Sequence, residues 1–103
     1  MIKTRTIRNT DYNAIVKVAE SLSDWFDEDA REHSIPIDLR NQEGFVALCN
    51  GEIVGFITLF FAEGKLNIGW LGVHPEYQRK GIGTALLNCA EEYGLKHGIT
   101  EIS

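Results

Sequence analysis

Between positions 78 and 84 the chain reads Gln78-Arg79-Lys80-Gly81-Ile82-Gly83-Thr84, two cations and two glycines directly ahead of an apolar helical stripe. The N–H groups of a helix's first turn have no acceptor within the helix, and the macrodipole adds positive potential there. Gly81 and Gly83 let the backbone curl so that successive N–H groups point into one concavity. Arg79 and Lys80 add formal charge, and Thr84 offers a hydroxyl. Together these residues read as an anion site suited to phosphate or diphosphate.

Two familiar phosphate motifs do not fit. No Gly-Lys-Ser/Thr closes a Walker loop, and Leu86 stands where a dinucleotide fingerprint needs a third small residue. On the residues alone, glycines that serve only a tight turn between strand and helix remain an open alternative.

The elements around this segment follow from patterning. Residues 3–8 alternate and read as a short, half-exposed strand. Asn9-Thr10-Asp11 are N-cap types, and Tyr12, Ile15, Val16, Ala19 and Leu22 recur at helical spacing. A second, shorter helix is expected from Ser23 to about His33, with Pro36 interrupting. Gly44 opens the apolar run 45–49, and Asn50-Gly51 is a strong hairpin signal because a type I′ turn needs positive φ at both central positions. Residues 53–62 are apolar on both faces, as in a central strand. Glu63-Gly64-Lys65 makes the next turn, and 66–73 a third strand of an antiparallel meander. Pro75 ends that strand. Past the basic loop, Ile82, Ala85, Leu86, Cys89, Ala90 and Tyr93 form a helical stripe, with Gly94 and Gly98 as candidate terminators. Residues 99–103 have strand character, which predicts a right-handed strand-helix-strand unit ending in a fifth strand parallel to the third meander strand. The fold class is thus α/β (α+β), in one domain over residues 1–103.

The run Val73-His74-Pro75-Glu76-Tyr77-Gln78-Arg79-Lys80-Gly81-Ile82-Gly83, following an antiparallel meander, resembles the GCN5-related N-acetyltransferase (GNAT) family, whose loop reads Gln/Arg-x-x-Gly-x-Gly/Ala. The resemblance covers nearly the whole chain. It implies that acetyl-CoA is the cosubstrate, lying in an opening between 66–73 and 99–103. The pantetheine arm would pair with the backbone of Leu71, Gly72 and Val73 as an added strand would. Gly72 or Gly69 is a candidate bulge that spreads the strands. Gln78, Arg79, Lys80, Gly81, Ile82, Gly83 and Thr84 would hold the diphosphate. The implied chemistry is attack of a neutral amine on the thioester, with the Leu71 N–H stabilising charge on the carbonyl oxygen. The implied partner is an amine acceptor, a small molecule or a peptide.

Two departures from the family pattern stand out. Many members carry a Glu on the fourth strand; here Asn67, Ile68, Gly69 and Trp70 hold no carboxylate, and Glu63 is a remote substitute. Members usually continue with a further helix and two strands, which commonly supply a Tyr as acid; Tyr12, Tyr77 and Tyr93 do not occupy that motif position. General base and general acid are therefore left unassigned. A non-catalytic CoA-binding or interaction module is the alternative reading, and a generic anion-binding or assembly domain a remoter one. An unpaired fifth-strand edge would invite a second copy of the chain, so a homodimer is expected.

Other features read more simply. Asp24, Asp27, Glu28, Asp29 and Glu32 form a solvated helix face or an acidic rim that draws in a cationic amine. Trp25 and Phe26 pack in the core or floor an acceptor pocket. His33, His74 and His97 lack metal-ligand spacing, and Cys49 and Cys89, forty positions apart, read as reduced and packed. With 103 residues, 44% hydrophobic and a formal charge of −5, the chain can bury a core unaided and is poorly suited to nucleic acid or anionic membranes. It has neither a secretory h-region nor a span-length apolar stretch, so no membrane association is expected and a cytoplasmic location is the default.

Overall fold

Asn50 and Gly51 adopt φ of 52° and 84°, and Glu63 and Gly64 adopt 54° and 75°, so both turns foreseen in the sequence are left-handed turns that reverse the chain tightly. They join three strands in the computed structural model, which describes residues 2–22 and 26–102: β2 (Glu43–Cys49), β3 (Glu52–Ala62) and β4 (Lys65–Val73). A first strand, β1 (Ile2–Thr6), pairs with β2, giving an antiparallel sheet in the order β1-β2-β3-β4.

Alternation along the strands sorts two cores. Val46 and Phe56 face α1 (Tyr12–Glu20) and α2 (Ile35–Asn41), packing with Ile15, Val18, Ala19, Leu22, Ile35 and Leu39. Ala47, Val54, Ile57 and Leu59 face the other side, where α3 (Ile82–Lys96) brings Ile82, Leu86 and Ala90. Residues 54–59 of β3 are buried throughout, as their two-sided apolarity predicts. The result is three layers: α1 and α2, the sheet, and α3.

Helix α1 starts from an ion pair. Arg5 of β1 donates from both terminal nitrogens to the Asp11 carboxylate, at 2.7 and 2.9 Å, and the Arg8 N–H adds a bond of 2.7 Å. Asp11 is 4% exposed. The three bonds satisfy its carboxylate and hold it well below the usual carboxylate range, chiefly through the Arg5 hydrogen bonds.

The second helix departs from expectation. Its proposed start, Ser23 to Trp25, lies outside the described residues, and it does not stop near His33. A helical course runs from Glu28 to Asn41, widened over Ala30–Ser34, where the Ile35 N–H bonds the Ala30 carbonyl five residues back. The widened turn accommodates Pro36, which has no N–H to give, and the fully buried Ile35 anchors the segment.

At the other end, Gly98 (φ 74°) terminates α3, whereas Gly94 lies inside it, where a Cβ would come within 3.1 Å of the Ile99 carbonyl oxygen. The expected fifth strand does not form. Residues 99–102 make one parallel bridge, Leu66 to Ile102, with the Leu66 N–H bonded to the Glu101 carbonyl at 3.3 Å. Ile99 and Ile102 both pack on the α3-side core, a spacing of three that a strand of period two cannot satisfy. The direction is parallel as expected, but among the described residues there is no fifth-strand edge through which a second copy would pair.

Candidate functional site

The outer edge of β4 follows from its register. The His74 N–H bonds the Val54 carbonyl at 2.8 Å, and Phe56 pairs with Gly72 and Thr58 with Trp70, so the alternate residues, Leu71 and Val73, turn their N–H and C=O groups away from β3. Past Leu66 this edge carries no strand among the described residues. An open ribbon of amides is what an extended amide-bearing arm can join.

A bulge sets the direction of that ribbon. Thr58 pairs with Trp70 and Leu59 with Ile68, which leaves Gly69 as the extra residue on β4. The Trp70 N–H bonds the Thr58 hydroxyl at 2.8 Å in place of a backbone carbonyl. A Cβ on Gly69 would lie 2.7 Å from that hydroxyl and press on the Gln42 carboxamide. Of the two bulge candidates, the structure selects Gly69. Gly72 is needed for close approach instead: a Cβ there would meet the Phe56 ring at 2.9 Å and Leu22 at 3.1 Å.

A cleft of about 290 Å³ opens at the end of β4, lined by Leu22, Phe26, Leu71, Gly72, Val73 and Gln78. Phe26 both packs and lines: its ring meets Phe56 at 6.5 Å and the edge of Trp70 at 5.6 Å. The Trp70 indole N–H in turn donates to Asp38 on α2 at 2.8 Å. Asp38, Gln42 and Leu22 were not singled out from the sequence. The helical stripe contains Leu22, but nothing local marks Asp38 or Gln42, because their contacts are made with β4 some thirty residues away.

From the same end of β4 the chain enters the bend. A short 3-10 turn, Pro75–Tyr77, is capped by His74, whose Nδ1 accepts from the Glu76 N–H at 3.1 Å. The Tyr77 ring meets His74 edge-on at 5.8 Å, and the Lys80 ammonium lies 5.5 Å from the Tyr77 ring centroid. Arg79 (φ 65°) and Gly81 (φ 81°) then turn the backbone left-handed into α3. The first helical bond recorded there is Ala85 N–H to the Gly81 carbonyl at 3.0 Å. The N–H groups of Ile82, Gly83 and Thr84 thus precede any acceptor within the helix, and no side chain caps them. Gly83 has an ordinary helical φ, and a Cβ on it or on Gly81 would meet nothing within 4 Å. Neither turn geometry nor packing asks for a glycine at position 83.

The remaining candidates fall elsewhere. Glu63 sits in the β3–β4 turn, at the opposite end of β4 from Val73. Tyr12 bonds Asn9 at 3.2 Å, and Tyr93 stacks on Phe61 at 5.8 Å, where burial pushes its hydroxyl above the usual tyrosine range. None of the three tyrosines lines the cleft. Asp27 caps the Ala30 N–H at 2.8 Å and Asp29 pairs with His33 at 3.3 Å, so these acids serve their own helix. Cys49 and Cys89 are free thiols, and no cluster of metal-ligating residues occurs among the described residues. No helix of the described residues is long and apolar enough to cross a membrane.

Solved structures share this architecture. A PaiA N-acetyltransferase from Thermoplasma acidophilum, in complex with coenzyme A, is 26% identical and superposes with a TM-score of 0.78 over 96% of this chain and 75% of its own. A GNAT family acetyltransferase from Brucella melitensis, in complex with acetyl-CoA, is 19% identical with a TM-score of 0.82, over 99% of this chain and 73% of its own. A ribosomal-protein-alanine N-acetyltransferase from Brucella melitensis biovar Abortus is 16% identical with a TM-score of 0.80, over 99% and 77%. The model of the acetyltransferase (GNAT) family matches residues 5–103, nearly the entire chain. With open strand edge, cleft and helix-entry bend all inside that match, this chain belongs to the GNAT acetyltransferase family.

Proposed function

We propose that this chain is an N-acetyltransferase that moves the acetyl group of acetyl-CoA to a primary amine of a small molecule or peptide. The observation that carries the reading is adjacency. The free edge at Leu71 and Val73 and the uncapped bend at Arg79–Thr84 lie at one end of β4, joined by the short turn at Pro75–Tyr77. The diphosphate rests on the N–H groups of the bend, with Arg79 and Lys80 adding charge. The pantetheine amides pair with Leu71 and Val73, which brings the thioester into the cleft beside Phe26 and Gly72.

In the reaction the neutral amine attacks the thioester carbonyl carbon and a C–N bond forms. The Leu71 N–H, turned toward the free edge, donates to the oxygen as it gains charge. The C–S bond then breaks, coenzyme A leaves as a thiolate and takes up a proton, and the amine gives one up. The described residues place no carboxylate or tyrosine hydroxyl in the cleft lining, so the groups that move the two protons stay unassigned. That lining also favours a second reading, a coenzyme A-binding module without turnover.

Calorimetry with acetyl-CoA and a thiol-release assay over a panel of amines separate the two. Binding with release supports the transferase. Binding without release for every amine supports the module, and no binding by folded protein removes both.

A further inference from the structure

The Gln78 side chain lines the cleft and donates from Nε2 to the Val73 carbonyl at 3.0 Å. That carbonyl faces the free edge of β4. We propose that Gln78 is a displaceable latch: its carboxamide occupies the Val73 carbonyl in the free protein and yields it to an amide N–H of the thioester arm.

The proposal rests on the reading above of the β4 edge as the arm's binding strand. A primary carboxamide and a pantetheine amide are the same kind of donor, so the exchange replaces one amide–carbonyl bond with another. The latch has somewhere to go. Gln78 is exposed, and the Nε2 bond is the only hydrogen bond recorded for its side chain among the described residues, so swinging outward uncovers little apolar surface. Its backbone is held separately, by the N–H contact to the Pro75 carbonyl at 3.4 Å. The side chain can therefore move without moving the turn.

The position also couples the two halves of the ligand site. Gln78 immediately precedes Arg79, where the left-handed bend begins. A ligand that fills only the bend leaves the latch closed; one that also carries the arm must open it. The cost appears as reduced apparent affinity, in proportion to the closed population.

The test compares coenzyme A with ADP, which has the diphosphate but no arm, by calorimetry on the full chain and its Gln78→Ala variant. The variant should bind coenzyme A about threefold to tenfold more tightly, as expected for losing one modest solvent-exposed hydrogen bond, while ADP, which has no arm to meet the Val73 carbonyl, should gain no affinity. Nitrogen-15 NMR of the Gln78 side-chain amide supplies a readout that needs no ligand. The Nε2 proton bonded to Val73 should exchange about threefold to tenfold more slowly in the free protein than in a free primary amide, reach solvent-like exchange on addition of coenzyme A, and stay protected with ADP. Solvent-like exchange in the free protein overturns the latch, as does weaker coenzyme A binding by the variant. Absence of coenzyme A binding by both forms overturns the proposed function and displacement with it. A latch failure alone looks different, with coenzyme A bound equally well by both forms.

Discussion

Thr58 and Trp70 are bonded through a side chain where the sheet would otherwise use its backbone: the Trp70 N–H meets the Thr58 hydroxyl at 2.8 Å. This contact marks the place where Gly69 bulges and the edge beyond it turns Leu71 and Val73 outward. Thr58 is fully buried. Thr58→Val keeps the shape and removes the acceptor, leaving the Trp70 N–H unpaired. We expect a loss of about 1–3 kcal/mol in denaturant unfolding, with Thr58→Ser retaining most of the stability. A loss for Thr58→Ser with none for Thr58→Val would show that the methyl group, and not the hydroxyl, holds the bulge.

Gly83 separates packing from binding. Its φ is ordinary for a helix and its Cβ position is open. Gly83→Ala should therefore stabilise the fold by about 0.4–1 kcal/mol through the unfolded chain. The same methyl group stands in the proposed path of the diphosphate, so affinity for coenzyme A should fall, and Gly83→Glu should weaken it further by about tenfold or more through charge repulsion. Thermal unfolding and calorimetry read the two effects separately. A variant that is more stable and binds as well as the parent would remove the bend from the ligand site.

The Leu71 N–H is aimed at the free edge and contributes nothing to the pairing with β3, so proline is tolerable at this position in a way it is not in a central strand. Leu71→Pro deletes the proposed oxyanion donor. We expect kcat to fall by about a hundredfold to a thousandfold for any amine that is turned over, with a smaller change in coenzyme A affinity. Circular dichroism and calorimetry confirm that the fold and the arm's site persist. An unchanged kcat would reassign the donor.

Acid sensitivity should centre on Asp11. Its carboxyl lies below the ordinary value of 3.8 in the folded protein, because Arg5 and the Arg8 N–H bond the charged form. A lowered folded-state pKa contributes stability that is complete above the unfolded value and is lost as pH falls through the folded one. Urea midpoints measured downward from pH 6 should therefore decline below about pH 4 for the parent chain. Asp11→Asn should cost about 2–4 kcal/mol at neutral pH, since Arg5 is left without its partner, and should flatten that decline. An acid limb of unchanged slope in the variant would place the titrating group elsewhere.

Local chemistry determined much of this protein. Asn50-Gly51 and Glu63-Gly64 are legible as turns because Gly51, Gly64 and Asn50 adopt left-handed backbone readily. The two-sided apolar run after Gly51 can only be a covered strand, and the bend at Arg79–Gly83 with its stripe of Ile82, Leu86 and Ala90 is legible within one turn of helix. Tertiary structure decided what depends on distant partners. Pro36 reads as a break, yet it lies within a helical course because the burial of Ile35 and Leu39 against the sheet outweighs one missing hydrogen bond. Residues 99–102 read as a strand, yet Ile99 and Ile102 turn toward the same core, and a ladder cannot follow that spacing. Whether Gly69 or Gly72 would bulge depended on Thr58 and Gln42, and the placement of Gln78 on the Val73 carbonyl depended on how the turn at Pro75 folds back. Spacing along a chain encodes the contacts a residue makes within a few positions; which carbonyl a side chain reaches across a turn, or which helix leans on a bulge, is set only when the layers close.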